Sequence, residues 1–457
     1  MARLIARRAP IAGIFRAPAA KPDTQRALIM ASLAAGVSQI RDPLLSRETQ
    51  AMIEACRELG AEITRGEGEI RVRGTGAAWR QAREGHRPAT RYIWAAGSAL
   101  VARISLALGA TMPDRLIVDG NCNLRSRPFA PLFTALAGKG VDFAFFDGAD
   151  RLPAAVLSRQ LPGGHYRLAT SISSQFVTAL MVPGPLTTAP TTITLTGPRY
   201  SLSYIRQTLD LMQRFGIAAT MSDDGREIVV PNDRPYAARS IAIYGDYTSA
   251  SYLLGAAVVT RGRIVVSNLD PASLQGERAI VEIVAALGAK VEWLATPNTL
   301  LVDATALSGP VDAHFDLRDC PNILPTVAAI GATVPGRVRI TGAQLTQNHK
   351  SPRIEAMATE LAKAGVTISV LTKADGTIDG LEIHGREGYR GHVVFSSHGD
   401  HRIFMSLALF ALSCEQACMF SADDTSDSFP DFLTVLGFGG QTNEGLTDEC
   451  ELVRSAG

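Results

Sequence analysis

The 457-residue sequence predicts a mixed α/β fold divided into two domains, and three observations carry that prediction. The length exceeds what one hydrophobic core usually spans. A helix–glycine–strand pattern recurs six times. Strand candidates such as "TTITLTGP", "GRIVVSNL" and "GRVRITGA" precede further helical stretches along the chain, so strands and helices are interleaved.

The six copies are "IEACRELGAEIT" at Gly60, "LFTALAGKGVDFAFF" at Gly140, "LDLMQRFGIAATM" at Gly216, "IVEIVAALGAKVEW" at Gly288, "MATELAKAGVTISV" at Gly365 and a degenerate "FLTVLGFGGQT" at Gly437. Glycine after each helix suits the left-handed C-cap position, which turns the chain sharply into the next strand. A spacing of roughly seventy-five residues is too long for a simple solenoid. The natural division is a small domain of three units, present twice.

Composition narrows the partners. With 45 basic and 44 acidic residues the net charge is +1, which provides no field for nucleic acid or a membrane surface, so a small molecule is expected. The opening "MARLIARRAPIAGIFRAPAAKPD" lacks the apolar run of a secretory signal, no stretch approaches a membrane span, and a cytoplasmic location is expected. The six cysteines (Cys56, Cys122, Cys320, Cys414, Cys418, Cys450) are scattered, and "CEQAC" has no second ligand pair. Neither a metal, a cofactor nor a disulfide framework is expected.

Several helices begin with residues suited to an anion. "AKPDTQRALIMASLAAG" sets Lys21 at a helix start and Arg26 in its first turns; "TSISSQFVTALMV" opens with Ser173, Ser174 and Gln175; "SLSYIRQTLDLMQRFG" opens with Ser201, Ser203 and Tyr204. Free N–H groups and the positive end of the macrodipole make such starts anion sites, although serine and aspartate also serve as ordinary caps. Arginine in a first turn opposes the dipole, so Arg26, Arg353 and Arg402 call for a ligand that offsets the cost. Lys21, Arg127, Arg353 and Arg402, with no matching carboxylate at each, predict a polyanionic substrate bearing phosphate and carboxylate together. No Walker loop, HExxH, nucleophile elbow or dinucleotide fingerprint competes.

In order along the chain, "SSQFVTALMVPGPL", "SLSYIRQTLDLMQRFGI", "YGDYTSASYLLGAA", "SLQGE", "AMATEL" and "GDHR" resemble motifs of the enolpyruvyl transferase family, most closely its EPSP synthase branch. The resemblance runs nearly end to end. It implies two globular domains, each of three βαβαββ units forming an inside-out α/β barrel. Residues 1–20 plus 242–457 would form one domain and 21–241 the other, with the active site in the cleft between them. It implies enolpyruvyl (carboxyvinyl) transfer from phosphoenolpyruvate to a hydroxyl of a phosphorylated acceptor, with release of phosphate, by a monomer. Carried over by motif, phosphoenolpyruvate would lie on Lys21, Gly97, Arg127, Arg353 and Arg402. The acceptor would lie on Arg26, Ser173, Ser174, Gln175, Ser201, Tyr204 and Asn322.

The departures are as informative. Where the EPSP synthase motifs read Lys-Ser, this chain has Lys21-Pro22; the Pro-Asp that carries the family's catalytic aspartate reads Pro321-Asn322, and Asn322 cannot take a proton at neutral pH. The Lys-Glu-x-Asp-Arg motif has become His349-Lys350-Ser351-Pro352-Arg353, and the C-terminal Lys-Ser/Thr-Phe-Pro reads Asp427-Ser428-Phe429-Pro430. A carboxylate at 427 is expected to repel a phosphate that the family's lysine attracts.

Cys122 precedes Arg127 by the spacing of a cysteine loop in the aminosugar branch of the family, whose thiol acts as an acid near C3 of phosphoenolpyruvate. It is a candidate replacement for the missing glutamate, or an incidental loop cysteine. With Lys21 and Cys122, the catalytic candidates are Asp319, His349 and His401, the last three as proton acceptors. Two other functions stay open at this level: a lyase that eliminates phosphate from a cyclitol acid resembling shikimate 3-phosphate, and a non-catalytic ligand sensor. The changed acid and base residues predict a specialised pathway.

Overall fold

A computed structural model describes residues 3–5, 9–76, 89–158, 160–307, 309–421 and 425–437. The sixth repeat copy runs past Gly437 and Cys450 lies beyond it, outside the described residues. Among the described residues, five sheets have four strands and a sixth has three. One unit shows the plan. Thr90–Trp94 pairs in parallel with Arg115–Asp119 through the helix Ala99–Gly109; the helix Ala130–Ala137 then leads to the antiparallel pair Phe143–Phe145 and Ala154–Val156. That is βαβαββ, and Val311–Gly385 repeats it.

The helices divide by composition. Ala99–Gly109, Gln175–Met181, Tyr247–Thr260, Leu324–Thr333 and His401–Ala411 are mostly apolar or small, as is Lys21–Leu33 after its polar first turns, and nearly every residue in all six is buried. Arg47–Glu58, Leu202–Arg214 and Arg353–Lys363 are amphipathic and cover the outside. Close packing of the inner set is visible at Gly255, where a Cβ would stand 2.7 Å from Leu409 Cδ2 and 2.9 Å from Ile330 Cδ1. The glycines that end the six repeat helices all have positive φ, from 74° at Gly437 to 99° at Gly288, as the left-handed C-cap requires.

Two hydrophobic cores result. One gathers residues from Ala20 to Ile243; the other gathers Ile5 and Ala17 with residues from Tyr247 to Leu436. Each core is closed by strands distant in sequence: Ala12–Arg16 pairs in parallel with Arg263–Ser267 in the second core, and Ser240–Ala242 with Ala35–Arg41 in the first. The chain therefore crosses between the cores twice, near residues 17–20 and 243–246. No helix among the described residues is long and apolar enough to cross a membrane.

Candidate active site

Five of the six inner helices, drawn from both cores, begin at one cavity. Its walls include Lys21, Gln25 and Arg26; Ser98 and Ala99; Ser174 and Gln175; Pro321 and Asn322; and His401 and Arg402. Several positive helix ends meeting at one place, with hydroxyls and guanidinium groups between them, form an anion site before any ligand binds. Arg127, Ser173, Ser201, Tyr204, His349, Lys350 and Arg353 complete it.

On the first core, Lys21 Nζ lies 3.0 Å from Glu48 Oε2. Burial pulls the Lys21 ammonium below its ordinary range, while Lys21 and Lys350 hold the Glu48 carboxyl down at about 2 despite its own burial. Glu48 is thus a carboxylate at neutral pH. Gln25 Nε2 donates to Ser98 Oγ at 3.0 Å, and Arg26 Nε donates to Thr208 Oγ1 at 2.8 Å. Behind the serines sits Arg103, between the rings of Phe129 and Phe176, with Nη1 donating to Ser173 Oγ at 3.1 Å and Gln175 Oε1 at 2.8 Å. Burial, reinforced by the neighbouring Arg127 charge, lowers its pKa to about 9.

On the second core, Asp400 is fully buried and caps His401–Ala411 by accepting from the Arg402 amide at 2.9 Å. It also accepts from Arg353 Nε at 2.8 Å and Nη2 at 3.3 Å. Burial of Asp400 favours its neutral acid, but Arg353 and the other donors outweigh it and hold the carboxyl far below the usual range. Arg353 Nη1 then donates to Asn322 Oδ1 and His349 Nδ1, each at 3.0 Å. Lys350 Nζ donates to Asp427 Oδ2 and lies 3.7 Å from Glu48 Oε1 across the cleft. Further cross-cleft bonds run from the Ser201 amide to Arg318 O at 3.0 Å and from Tyr204 Oη to Glu277 Oε1 at 2.5 Å.

Of the candidates named from sequence, Lys21, Arg26, Arg127, Ser173, Ser174, Gln175, Ser201, Tyr204, Asn322, His349, Arg353, His401 and Arg402 all line this cavity. Three do not. Gly97 adjoins it through Ser98. Cys122 is exposed because Asn121 caps a one-turn helix, Cys122–Arg125, that sets the thiol outside the cavity. The nearest guanidinium in sequence, Arg125, is engaged by Asp119 at 2.7 Å. Asp319 sits at the start of Leu202–Arg214, accepting from the Ser203 amide at 2.8 Å, and its other oxygen faces Arg206 at 3.6 Å.

Other expectations change too. The cations were expected to lack carboxylates, yet Lys21 has Glu48 and Arg353 has Asp400, partners distant in sequence. Among the described residues, Arg127 and Arg402 form no ion pair; Arg127 Nη2 donates to Asn123 Oδ1 at 3.1 Å while its Nε is buried without a partner. Asp427 does not present a bare charge to the cavity, since Lys350 neutralises it. As proton acceptors the histidines are weak: burial first, then Arg353 for His349 and Lys350 for His401, pushes both imidazoles well below the usual range. Sequence reasoning missed Glu48, Arg103 and Glu277. Glu48 reads as an ordinary first-turn acid and Arg103 as a stray cation in an apolar helix, while Glu277 stood inside the quoted "SLQGE".

The family model described as EPSP synthase (3-phosphoshikimate 1-carboxyvinyltransferase) matches residues 5–436. A protein named 3-phosphoshikimate 1-carboxyvinyltransferase from Methanothermobacter thermautotrophicus is 33% identical over 420 residues, covering 92% of this chain and 94% of that one. One of the same name from Halobacterium salinarum is 32% identical over 446 residues, covering 95% and 98%. The solved EPSP synthase of Acinetobacter baumannii superposes with a TM-score of 0.78 at 21% identity, over 96% of this chain and 98% of that one, a likeness of fold. With a family match over nearly the whole length and relatives above 30% identity at full coverage, the chain belongs to the EPSP synthase family.

Proposed function

We propose that the protein transfers the carboxyvinyl group of phosphoenolpyruvate to a hydroxyl of a phosphorylated acceptor and releases phosphate. The observation that carries this reading is the pairing of two anion seats in one cavity. Arg127, Arg353 and Arg402 line it, with Arg127 and Arg353 close enough to act on each other's charge, and suit a small ligand with both carboxylate and phosphate; Ser173, Ser174 and Ser201 with Gln175 line it too and suit a phosphate ester. Relatives named 3-phosphoshikimate 1-carboxyvinyltransferase make shikimate 3-phosphate the first acceptor to try.

The reaction is addition followed by elimination. The acceptor oxygen bonds to C2 as C3 takes a proton; C3 then gives it back as the C2–O bond to phosphate breaks. We assign the C3 proton to the Lys21 ammonium, which burial makes more acidic than an exposed lysine. The cations act by preorganised charge, held in place before the ligands arrive by Glu48 and Asp400. Elimination without phosphoenolpyruvate loses its motive, because Lys350 compensates Asp427 and His349 is a poor base.

The test is phosphate release from purified protein with shikimate 3-phosphate, uridine monophosphate or UDP-N-acetylglucosamine, each with and without phosphoenolpyruvate. Release that requires phosphoenolpyruvate and an acceptor supports the transferase. Release from shikimate 3-phosphate alone would replace it with the lyase. The acceptor that works best identifies the pathway, and growth of a strain lacking EPSP synthase, restored without aromatic supplements, would rule out a specialised one.

A further inference from the structure

We propose that Glu277 receives, through the phenol of Tyr204, the proton that leaves the acceptor hydroxyl, and so supplies the proton acceptor that Asn322 cannot be. This rests on the transferase reading above. Glu277 lies in the turn Gly276–Ala279 and is 1% exposed. Its Oε1 accepts from Tyr204 Oη at 2.5 Å and from Asn322 Nδ2 at 3.3 Å. Asn322 is oriented by Arg353, whose Nη1 donates to Asn322 Oδ1, so Asn322 must present its amide N–H groups to Tyr204 Oη, at 2.5 Å, and to Glu277.

The phenol oxygen therefore donates to Glu277 and accepts from Asn322, which leaves one lone pair, and Tyr204 lines the cavity. A substrate hydroxyl can donate there. Burial and the Glu277 charge hold the Tyr204 phenol well above its ordinary range, so it does not ionise alone and must lose its proton as it gains one. Glu277 is a suitable receiver. Burial raises its carboxyl to about 7, the hydrogen bond from Tyr204 opposing, with Asp246 raising it further and Arg402 lowering it; the Cys320 thiol is a further titratable neighbour.

The step balances. The acceptor O–H bond breaks and its proton goes to Tyr204 Oη as the phenol proton passes to Glu277 Oε1. The freed electron pair forms the bond to C2 of phosphoenolpyruvate, whose C2–C3 pair takes a separate proton from Lys21. On collapse of the adduct C3 returns that proton to Lys21, the C2–O bond to phosphate breaks, and the proton held on Glu277 passes by way of Tyr204 to the departing phosphate oxygen. The net products are the enol ether and hydrogen phosphate.

The experiment compares wild type with Glu277→Gln, Glu277→Asp and Tyr204→Phe, following phosphate release from phosphoenolpyruvate and shikimate 3-phosphate as a function of pH. Wild-type kcat should fall below about pH 7 as one proton binds. Glu277→Gln should lower kcat by about 100-fold with KM for both substrates little changed, and lose that limb, whereas Glu277→Asp keeps the limb with partial activity. Tyr204→Phe should also lose it. Difference infrared spectra of wild type against Glu277→Gln, free of substrate, should show a buried carboxylic acid that ionises near pH 7. An active wild type whose Glu277→Gln variant keeps its kcat and pH limb overturns the relay alone, as does a Glu277 already ionised at about pH 5. An inert wild type overturns the transferase reading, and the relay with it.

Discussion

Lys350 and Asp427 form a partly buried ion pair in which each carries the charge opposite to that of the family motif at its position: lysine where the motif has glutamate, aspartate where it has lysine. The pair is flanked by Glu48, 3.7 Å from Lys350 Nζ, and by Arg47, 3.6 Å from Asp427 Oδ1. Two substitutions that look like separate losses are one exchange, and the local charge is conserved.

That exchange predicts a reciprocal rescue. Lys350→Glu alone brings a third carboxylate against Glu48 and Asp427, and Asp427→Lys alone opposes two ammonium groups beside Lys21. Each single change should cost about 3 kcal/mol of stability or more and lower kcat/KM by about 100-fold. The double variant should regain most of both. Thermal unfolding and phosphate-release kinetics on the three variants check this; a double variant no better than the singles would mean the two sites act independently.

Arg103 positions the acceptor seat rather than touching it. Arg103→Ala removes two charge-assisted bonds, to Ser173 and Gln175, and the stacking on Phe129 and Phe176. Acceptor affinity should fall about 10- to 100-fold, with phosphoenolpyruvate affinity less affected. Titration calorimetry with each ligand separates the two effects.

The exposed thiol of Cys122 is predicted to be dispensable. Cys122→Ser should keep kcat and KM within about twofold, since a surface change away from special contacts is nearly neutral. Brief alkylation with iodoacetamide should label Cys122 ahead of Cys56, Cys320, Cys414 and Cys418, all of which are buried, and leave activity intact. Inactivation on labelling, reproduced by the serine variant, would return the thiol to the mechanism.

Buried carboxyls set a pH dependence of stability. Burial raises Glu277 to about 7 and Asp23 to about 6, both above ordinary carboxyl values, so between these and the unfolded values the folded state binds more protons than the unfolded one. Their contribution is fully present below the unfolded pKa and is lost as pH rises through about 6 to 7. The melting temperature should therefore decline between about pH 5 and about pH 8, and Glu277→Gln should flatten that decline. Glu48 has the opposite sign: held near 2, its contribution is present above its unfolded pKa and disappears only as pH falls toward 2.

The fold was legible because its signals are local. Each glycine that ends a repeat helix has the positive φ its position implied, and the serine and arginine helix starts do converge on one cavity. What sequence could not show are pairings over long separations. Glu48 reaches Lys350, and Tyr204 reaches Glu277, only because the two cores close on one another. Asp427 looked repulsive in isolation for the same reason: its partner lies 77 residues away. The spacing argument for Cys122 took no account of the Asn121 cap, which starts a short helix and leaves Cys122 exposed and outside the residues that line the cavity.

The central claim is that phosphate leaves by breaking its bond to C2. The measurement that tests it most directly uses phosphoenolpyruvate with a heavy oxygen isotope at the bridging C–O–P position, with mass analysis of both products. The account predicts that all of the label appears in the released phosphate and none in the acceptor-linked carboxyvinyl ether. Label retained on the carbon product would mean that the P–O bond breaks instead, and addition followed by elimination would be wrong.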